Sequence, residues 1–415
     1  MRVLIVGGGI IGLSSAYYLK KAGHEVIVVD KTDLTNNCSY GNAGYICPSH
    51  FIPLATPGIV WQGLKWMFDS TSPFYVQPRL DWKLINWGWH FMRSATQRKV
   101  DEAAAPLRDI ALLSQQEYLS WTQLPGFQFG YQHRGLLEIF QTEEKAEHAR
   151  HTLEKAHALG LTDTRLLNKK ELEAMEPSTT INALGALYFG CDAHCYPNQL
   201  MTSLLHILQA EGVKIIKNRE VTSFDIVNDS IVGVSLADEV IKADEVVIAT
   251  GSWGSHTAAL LGVSIPLMPG RGYSVTQTNL TQSLTYPSIL VEGRVAITPL
   301  DAHTLRFGGT MEITSHQTPP RFNRVKGILQ AVTSFYPSLE VLMPPAEQIW
   351  YGYRPCSADG LPIIGRVDQF KNLVVATGHS MLGLSLGAGT GKLVSELVSR
   401  ESLSMDIRPF RVARF

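Results

Sequence analysis

The chain opens on Val3-Leu4-Ile5-Val6, a continuous apolar run rich in β-branched residues, as a strand buried on both faces carries. It breaks at Gly7-Gly8-Gly9-Ile10-Ile11-Gly12, and a helical spacing of apolar positions follows through Ala22. Gly23 stands where a helix C-cap is wanted, and Glu25 to Asp30 predicts a second buried strand ending in an acid. Further along, periodicity predicts helices over Ala103 to Trp121, Thr142 to Leu159, Asn198 to Glu211, Arg324 to Phe335 and Leu382 to Val398. Strands are predicted at Leu136 to Phe140, Val213 to Ile216, Val221 to Val227, Ile231 to Leu236, Ile349 to Tyr353 and Leu373 to Ala376. Glu245 to Ile248 is another apolar strand, delivering Ala249-Thr250-Gly251-Ser252-Trp253 as a second glycine turn. Residues 271 to 310 alternate apolar and polar positions in short runs between glycines, which predicts an antiparallel sheet able to floor a pocket. No internal repeat or low-complexity tract interrupts this order.

The first thirty residues make one βαβ unit of a dinucleotide site, and each glycine has a separate task. Gly7 permits the tight turn, Gly9 lets the backbone approach a pyrophosphate, and Gly12 lets the helix pack closely on the strand. A diphosphate then lies on the unpaired N–H groups at the helix start, and Asp30 accepts hydrogen bonds from an adenosine ribose. Residues 35 to 50, rich in Asn, Gly and Ser, read as a long ordered loop beside this site.

Composition narrows the classes of function. The 415 residues are 45% hydrophobic and 18% charged, enough for a large core and against disorder. At roughly 100 to 200 residues per domain, two or three domains are expected. Lys plus Arg is 36 and Asp plus Glu is 37, so no basic field for nucleic acid exists. Five cysteines without a CxxC pair suggest neither a disulfide scaffold nor a zinc ribbon. Cys191, His194 and Cys195 lack a second cluster at zinc spacing, so no metal is expected. The immediate entry into a strand leaves no room for a signal peptide, and no run of about 18 apolar residues occurs. A cytoplasmic protein is expected, with peripheral contact on the inner face of the cell membrane left open. Trp61, Trp66, Trp82, Trp87 and Trp89 crowd the segment from Pro57 to Ala95. Helix packing, a pocket or partner surface, and an interfacial belt all fit them, and the interspersed charges favour packing.

Seven blocks then carry a resemblance: Gly7-x-Gly9-x-x-Gly12 with Asp30; Ser39-Tyr40-Gly41-Asn42-Ala43-Gly44; Asp192-Ala193-His194 before Pro197; Ala249 to Trp253; Gly270-Arg271-Gly272-Tyr273-Ser274; Trp350 to Pro355 with Asp359-Gly360-x-Pro362 and Gly365; and Gly378 to Gly383 with Gly387. In this set the chain resembles the FAD-dependent D-amino-acid oxidase and glycine oxidase superfamily over nearly its whole length, and within it most the bacterial D-amino-acid dehydrogenases. The resemblance implies a Rossmann-type FAD-binding domain interleaved with a mixed or antiparallel-sheet substrate domain, α/β in class and α+β overall. The expected division is 1–50, 192–262 and 350–415 for FAD, and 51–191 with 263–349 for substrate, the latter including a Trp-rich helical region at 57–95. Implied cofactor contacts are Gly7, Gly9, Ile10, Ile11, Gly12, Asp30, Lys31, Ser39, Asn42, Ala43, Gly44, Val221, Thr250, Gly251, Trp253, Gly352, Arg354, Gly378, His379, Met381, Gly383 and Leu384. Asp30 departs from the longer Glu usual in the family, and Cys356 does not match the linkage position of covalent flavin, so a non-covalent FAD is expected.

The implied reaction is dehydrogenation of a free amino acid, with a D-amino acid favoured: hydride passes from the α-carbon to flavin N5, and the imine hydrolyses to keto acid and ammonia. Cyclic or N-methylated amino acids, such as a hydroxyproline isomer, proline, sarcosine or glycine, share every motif. A non-catalytic flavin-binding interaction protein is the alternative from another class. Arg354 is the candidate cation for the substrate carboxylate, because a guanidinium grips a carboxylate at two points; an Arg in a surface ion pair is the bland alternative. Tyr273 is a second candidate for the carboxylate or for the pocket wall, against an ordinary sheet aromatic. His379 is read as positional ahead of a core histidine or a general base, since hydride transfer from a neutral amine needs no α-proton abstraction. A quinone or another carrier is favoured over oxygen as electron acceptor, and oligomeric state is not readable.

Overall fold

A computed structural model describes residues 1–58 and 73–415. Arg2–Val6 lies inside a six-stranded sheet, with Glu25–Val29 and then Lys214–Ile216 on one side. On the other side come Glu245–Ile248, Leu373–Thr377 and Ile363–Arg366. Every neighbouring pair is parallel except the last. The continuous apolar runs have a simple cause: both faces are covered. Val3, Ile5, Val26, Val28, Val247 and Val374 pack beneath the helices Ile10–Lys21, Pro197–Ala210 and Gly387–Ser399. Their alternates Leu4, Val6, Ile27, Val29, Val246 and Val375 face the opposite core, shared with a small antiparallel sheet of Ser223–Val227, Ser230–Ser235 and Val240–Ile241.

A second, nine-stranded sheet is mixed. Trp350–Ser357, Leu267–Gln277, Thr304–Ile313, Val295–Asp301 and Ser288–Leu290 run antiparallel in that order, and Leu136–Phe140, Gly185–Phe189 and Thr164–Asn168 extend it. Ser288–Leu290 joins Leu136–Phe140 in parallel, and Phe74–Val76 adds to Thr304–Ile313. Val275, Ile297 and Phe307 point to the amphipathic helix Asn323–Phe335, which answers with Val325, Ile328 and Val332. The opposite face carries a row of paired residues, Trp350, Ser274, Gly308, Ala296 and Ile289, in which the three central members are small. That row leaves space for a ligand.

Two predicted elements are corrected. The strand expected at Ile349 to Tyr353 is longer, Trp350–Ser357, and is hydrogen-bonded into the nine-stranded sheet although it falls in the segment assigned to FAD. The last helix begins at Gly387 rather than Leu382, preceded by a 3-10 turn at Ser380–Leu382. There the Leu384 carbonyl accepts from the Tyr118 hydroxyl at 2.6 Å, which turns it away from a helical ladder. The tryptophan cluster divides. Trp87 is buried, stacks on Phe91 at 4.8 Å and donates to the Cys356 carbonyl, as packing requires. Trp82 and Trp89, on the same helix Trp82–Ser94, are 78% and 47% exposed. Trp61, Trp66 and Phe68 lie outside the described residues.

Candidate active site

Between the two large sheets lies a cavity of about 760 Å³. Its floor on one side is the small-residue row, and its other walls are the two glycine turns and the loop at 36–50. Gly7 turns at φ +108°, and a Cβ there would stand 2.5 Å from the Ala249 carbonyl oxygen. A Cβ on Gly12 would stand 1.8 Å from the Gly7 carbonyl oxygen, so the helix can approach the strand only with glycine at that position. Gly9 has its Cβ direction open towards the cavity, with only Ser39 Oγ at 3.7 Å. The N-cap residue of the helix Ile10–Lys21, Gly9, has no side chain to offer; Ser39 Oγ accepts from the Ile10 N–H at 3.1 Å, and the next two N–H groups have no partner among the described residues. This is an anion cradle with its donors still unspent. Asp30 closes the turn instead of standing free: Oδ2 accepts from Gly8 N at 2.6 Å and Oδ1 from Thr32 N at 2.8 Å.

The loop at 36–50 is fastened to the nine-stranded sheet through four successive carbonyls. Arg306 donates to the Tyr40 and Asn42 carbonyls at 2.9 and 2.8 Å, Ser274 Oγ to that of Gly41 at 3.0 Å, and Thr298 Oγ1 to that of Ala43 at 2.6 Å. Arg306 is buried, and burial pulls its pKa down to about 10. Tyr45 adds its hydroxyl, bonded to the Ser288 and Ile297 carbonyls.

Arg354 lies within the Trp350–Ser357 strand rather than after it, opposite Gly270. Its guanidinium lies across Gly272, where a Cβ would come within 2.3 Å of Nη1. Nη1 donates to the Thr310 carbonyl, and Thr310 holds φ +65°, a left-handed conformation strained for a β-branched residue. Burial lowers the Arg354 pKa, yet among the described residues no carboxylate lies within 4 Å of the guanidinium. The surface-pair alternative therefore does not describe it: Arg354 borders the cavity as a cation without a counterion among the described residues. Tyr273 borders the cavity too, but its hydroxyl donates to Glu312 Oε2 at 2.8 Å and accepts from Arg321 N at 2.7 Å. That hydroxyl is committed to a buried cluster in which Glu312 pairs with Arg271 at 2.8 Å and Arg324 at 2.5 Å, so Tyr273 serves as wall.

His379 is buried, and burial drives its pKa down to about 3, which removes the proton affinity a general base needs. Nε2 meets Thr390 Oγ1 of the last helix at 3.1 Å, while Nδ1 and the neighbouring Ser380 Oγ are buried without a partner among the described residues. Ile10, Ile11, Lys31, Val221, Thr250, Gly251, Trp253, Gly352, Met381, Gly383 and Leu384 all border the cavity. Gly12, Gly44 and Gly378 do not; they shape the backbone behind it. Cys356 Sγ points to Met311 Sδ at 3.8 Å and does not border the cavity. Sequence reasoning missed Tyr45, His50, Thr310 and Ser385 on the cavity wall, and Arg306 behind it. Of these only Arg306, the clamp on the loop, had a readable signal, an arginine alternating with the apolar Leu305 and Phe307 on a strand. The spent and unspent donors fit a flavin dinucleotide: an open N–H cradle for its diphosphate, and orphaned buried groups at His379 and Ser380 for its polar ring edge.

Comparison with known proteins agrees with this geometry. A family model described as FAD dependent oxidoreductase (DAO) matches residues 2–397. A D-amino acid dehydrogenase of Granulibacter bethesdensis is 29% identical over 421 aligned residues, covering 100% of both chains. A D-amino acid dehydrogenase of Helicobacter pylori is 32% identical over 95% of this chain and 94% of its own. Among solved structures, glycine oxidase from Geobacillus kaustophilus has a TM-score of 0.77 at 24% identity, covering 100% of this chain and 99% of that one, which speaks for the fold. Since the matched span takes in both sheets and every wall of the cavity between them, the chain belongs to the DAO family of FAD dependent oxidoreductases.

Proposed function

We propose that the chain oxidatively deaminates a free amino acid, a D-amino acid before others, yielding an imino acid that hydrolyses to keto acid and ammonia. The observation that carries this reading is Arg354, a guanidinium at the cavity with no carboxylate near it among the described residues. A substrate carboxylate supplies the missing countercharge, with two-point geometry. The names of the two dehydrogenase relatives support the D preference. In this reading the six-stranded sheet carries the FAD half and the nine-stranded sheet the substrate half.

When bound, FAD supplies the hydride acceptor and so carries the redox chemistry. The chain's own residues bind and orient. Gly9 and Ile11 would offer N–H groups to the diphosphate, with Gly12 letting the helix start come close, and Ser39, Asn42 and Ala43 would line its path. Arg354 holds the carboxylate, while Thr310 and Gly272 hold Arg354 in place. His379, neutral and bonded to Thr390, positions the turn at Gly378 and exchanges no proton with the substrate.

Electrons then leave to a quinone or another carrier. Supporting this, Leu80, Trp82, Ile85, Trp89 and Met92 are exposed, and the last four share one face of the helix Trp82–Ser94 beside Lys83 and Arg93. Such a face suits a peripheral contact with a membrane that holds the acceptor. No helix among the described residues is long and apolar enough to cross a membrane.

Anaerobic bleaching of the flavin band with a panel of D- and L-amino acids, hydroxyproline isomers, proline, sarcosine and glycine tests the reaction and its substrate class. Bleaching by D-amino acids is expected, and an unchanged spectrum across the panel refutes the enzyme. Arg354→Lys, which loses the two-point grip, should raise KM about 10- to 100-fold while FAD stays bound.

A further inference from the structure

His50 borders the cavity and has no part in the roles above. It sits on the loop after the short strand Tyr45–Ile46; four residues on, Leu54 borders the same cavity and packs with Phe74 and Met311, the residue after Thr310. The Nδ1 of His50 lies 3.2 Å from Ser49 Oγ. Ser49 Oγ in turn donates to Asp192 Oδ2 at 2.5 Å, and the Ser49 N–H donates to Oδ1 at 3.1 Å. A hydroxyl has one proton. Once it is given to the ionised Asp192, Ser49 can only accept from His50, so Nδ1 carries the ring hydrogen and Nε2 a lone pair. No described residue bonds Nε2. Burial holds the imidazole pKa down to about 4, so the ring is uncharged and does not repel an ammonium group.

We propose that His50 Nε2 is the acceptor for the amino group of the substrate, and that Ser49 and Asp192 are positioning residues that fix its tautomer. The inference rests on the amino-acid reading above and supplies what Arg354 does not. A carboxylate gripped by the guanidinium alone leaves the α-carbon free to rotate about its bond to the carboxyl carbon; a further anchor on the amine limits which α-hydrogen faces the hydride acceptor. A pH dependence follows. Burial, opposed by the Ser49 bonds, pushes the Asp192 pKa up to about 6; Cys47 and Cys191 adjoin it, and Glu138 of the strand Leu136–Phe140, itself raised to about 7 by burial and by Asp192, acts on it as well. Protonated, Asp192 no longer takes the serine hydrogen. Ser49 can then donate to Nδ1, leaving Nε2 with a hydrogen turned towards the amine.

The test is binding rather than turnover. The holoenzyme's flavin spectrum is titrated with 2-aminoisobutyrate, which has no α-hydrogen to lose, and with isobutyrate, the same carboxylate without an amine. His50→Leu should weaken aminoisobutyrate about 10- to 100-fold and isobutyrate less than about twofold. His50→Gln, whose side-chain oxygen also accepts, should recover part of the loss, and Ser49→Ala should weaken only the amino ligand. In the wild type, aminoisobutyrate affinity should fall below pH 6 while isobutyrate affinity does not follow it. Equal losses for the two ligands, or no loss for either, overturn the assignment. So does a wild type that binds both ligands equally. In each of those outcomes bleaching by D-amino acids still decides the amino-acid reading separately.

Discussion

Replacing Arg306 by methionine keeps the length of the side chain and removes every donor. Four bonds are lost: to the Tyr40 and Asn42 carbonyls, to Thr276 Oγ1 at 3.0 Å and to Asn198 Oδ1 at 3.2 Å. The two carbonyls matter most, because they belong to the loop that borders the cavity and have no other donor recorded among the described residues. Each carbonyl left unpaired costs about 1–2 kcal/mol, roughly 3 kcal/mol for both. Methionine escapes part of the desolvation that a buried guanidinium incurs, which offsets about 1 kcal/mol. The net loss is about 2 kcal/mol, or about 30-fold in an equilibrium constant. Apoprotein titrated with FAD, followed by quenching of flavin fluorescence, should show Kd raised by up to that factor, and the urea midpoint should fall. An unchanged Kd together with an unchanged midpoint would refute the clamp.

Glu138 has a folded-state pKa raised to about 7 by burial first and by Asp192 second, so an unfolded chain releases this proton earlier and stability falls as pH rises from about 4.5 to 7. Glu138→Gln should therefore add little at pH 4 and up to about 3 kcal/mol above pH 7, and equal gains in urea melts at both pH values would contradict this. Acid precipitation should leave a colourless pellet and a yellow supernatant, because Cys356 Sγ faces Met311 and not the cavity. Trp82→Ser with Trp89→Ser should reduce sedimentation with anionic vesicles several-fold and leave the anaerobic bleaching rate alone; wild-type protein that does not sediment would dispose of the membrane contact.

The nucleotide half was legible because its rules are local. A buried parallel strand is apolar throughout, a glycine turn needs glycine, and both follow from a few consecutive residues, as at Val3 to Gly12. Alternation over residues 271 to 310 made an antiparallel sheet legible, yet the arrangement of the nine strands was not, since pairing such as Ser288–Leu290 with Leu136–Phe140 joins positions about 150 residues apart. Arg354 could be named from its motif, but not its placement: that depends on the missing side chain of Gly272 and on a left-handed Thr310 that no propensity predicts. Tyr273 shows the converse. An aromatic at a pocket strand says nothing of where its hydroxyl goes, and here a glutamate 39 residues away decides it. His50 gave no signal at all, because its partner Ser49 is fixed by an aspartate, Asp192, 143 residues further on.

The four carbonyls stitched to the nine-stranded sheet have a mechanical consequence. They tie the segment beside the glycine turn to the opposite half of the molecule at successive residues, so the two halves cannot swing apart like a clamshell without tearing a whole seam. Traffic of small molecules is then expected to pass through movements of individual side chains or of the outer rim.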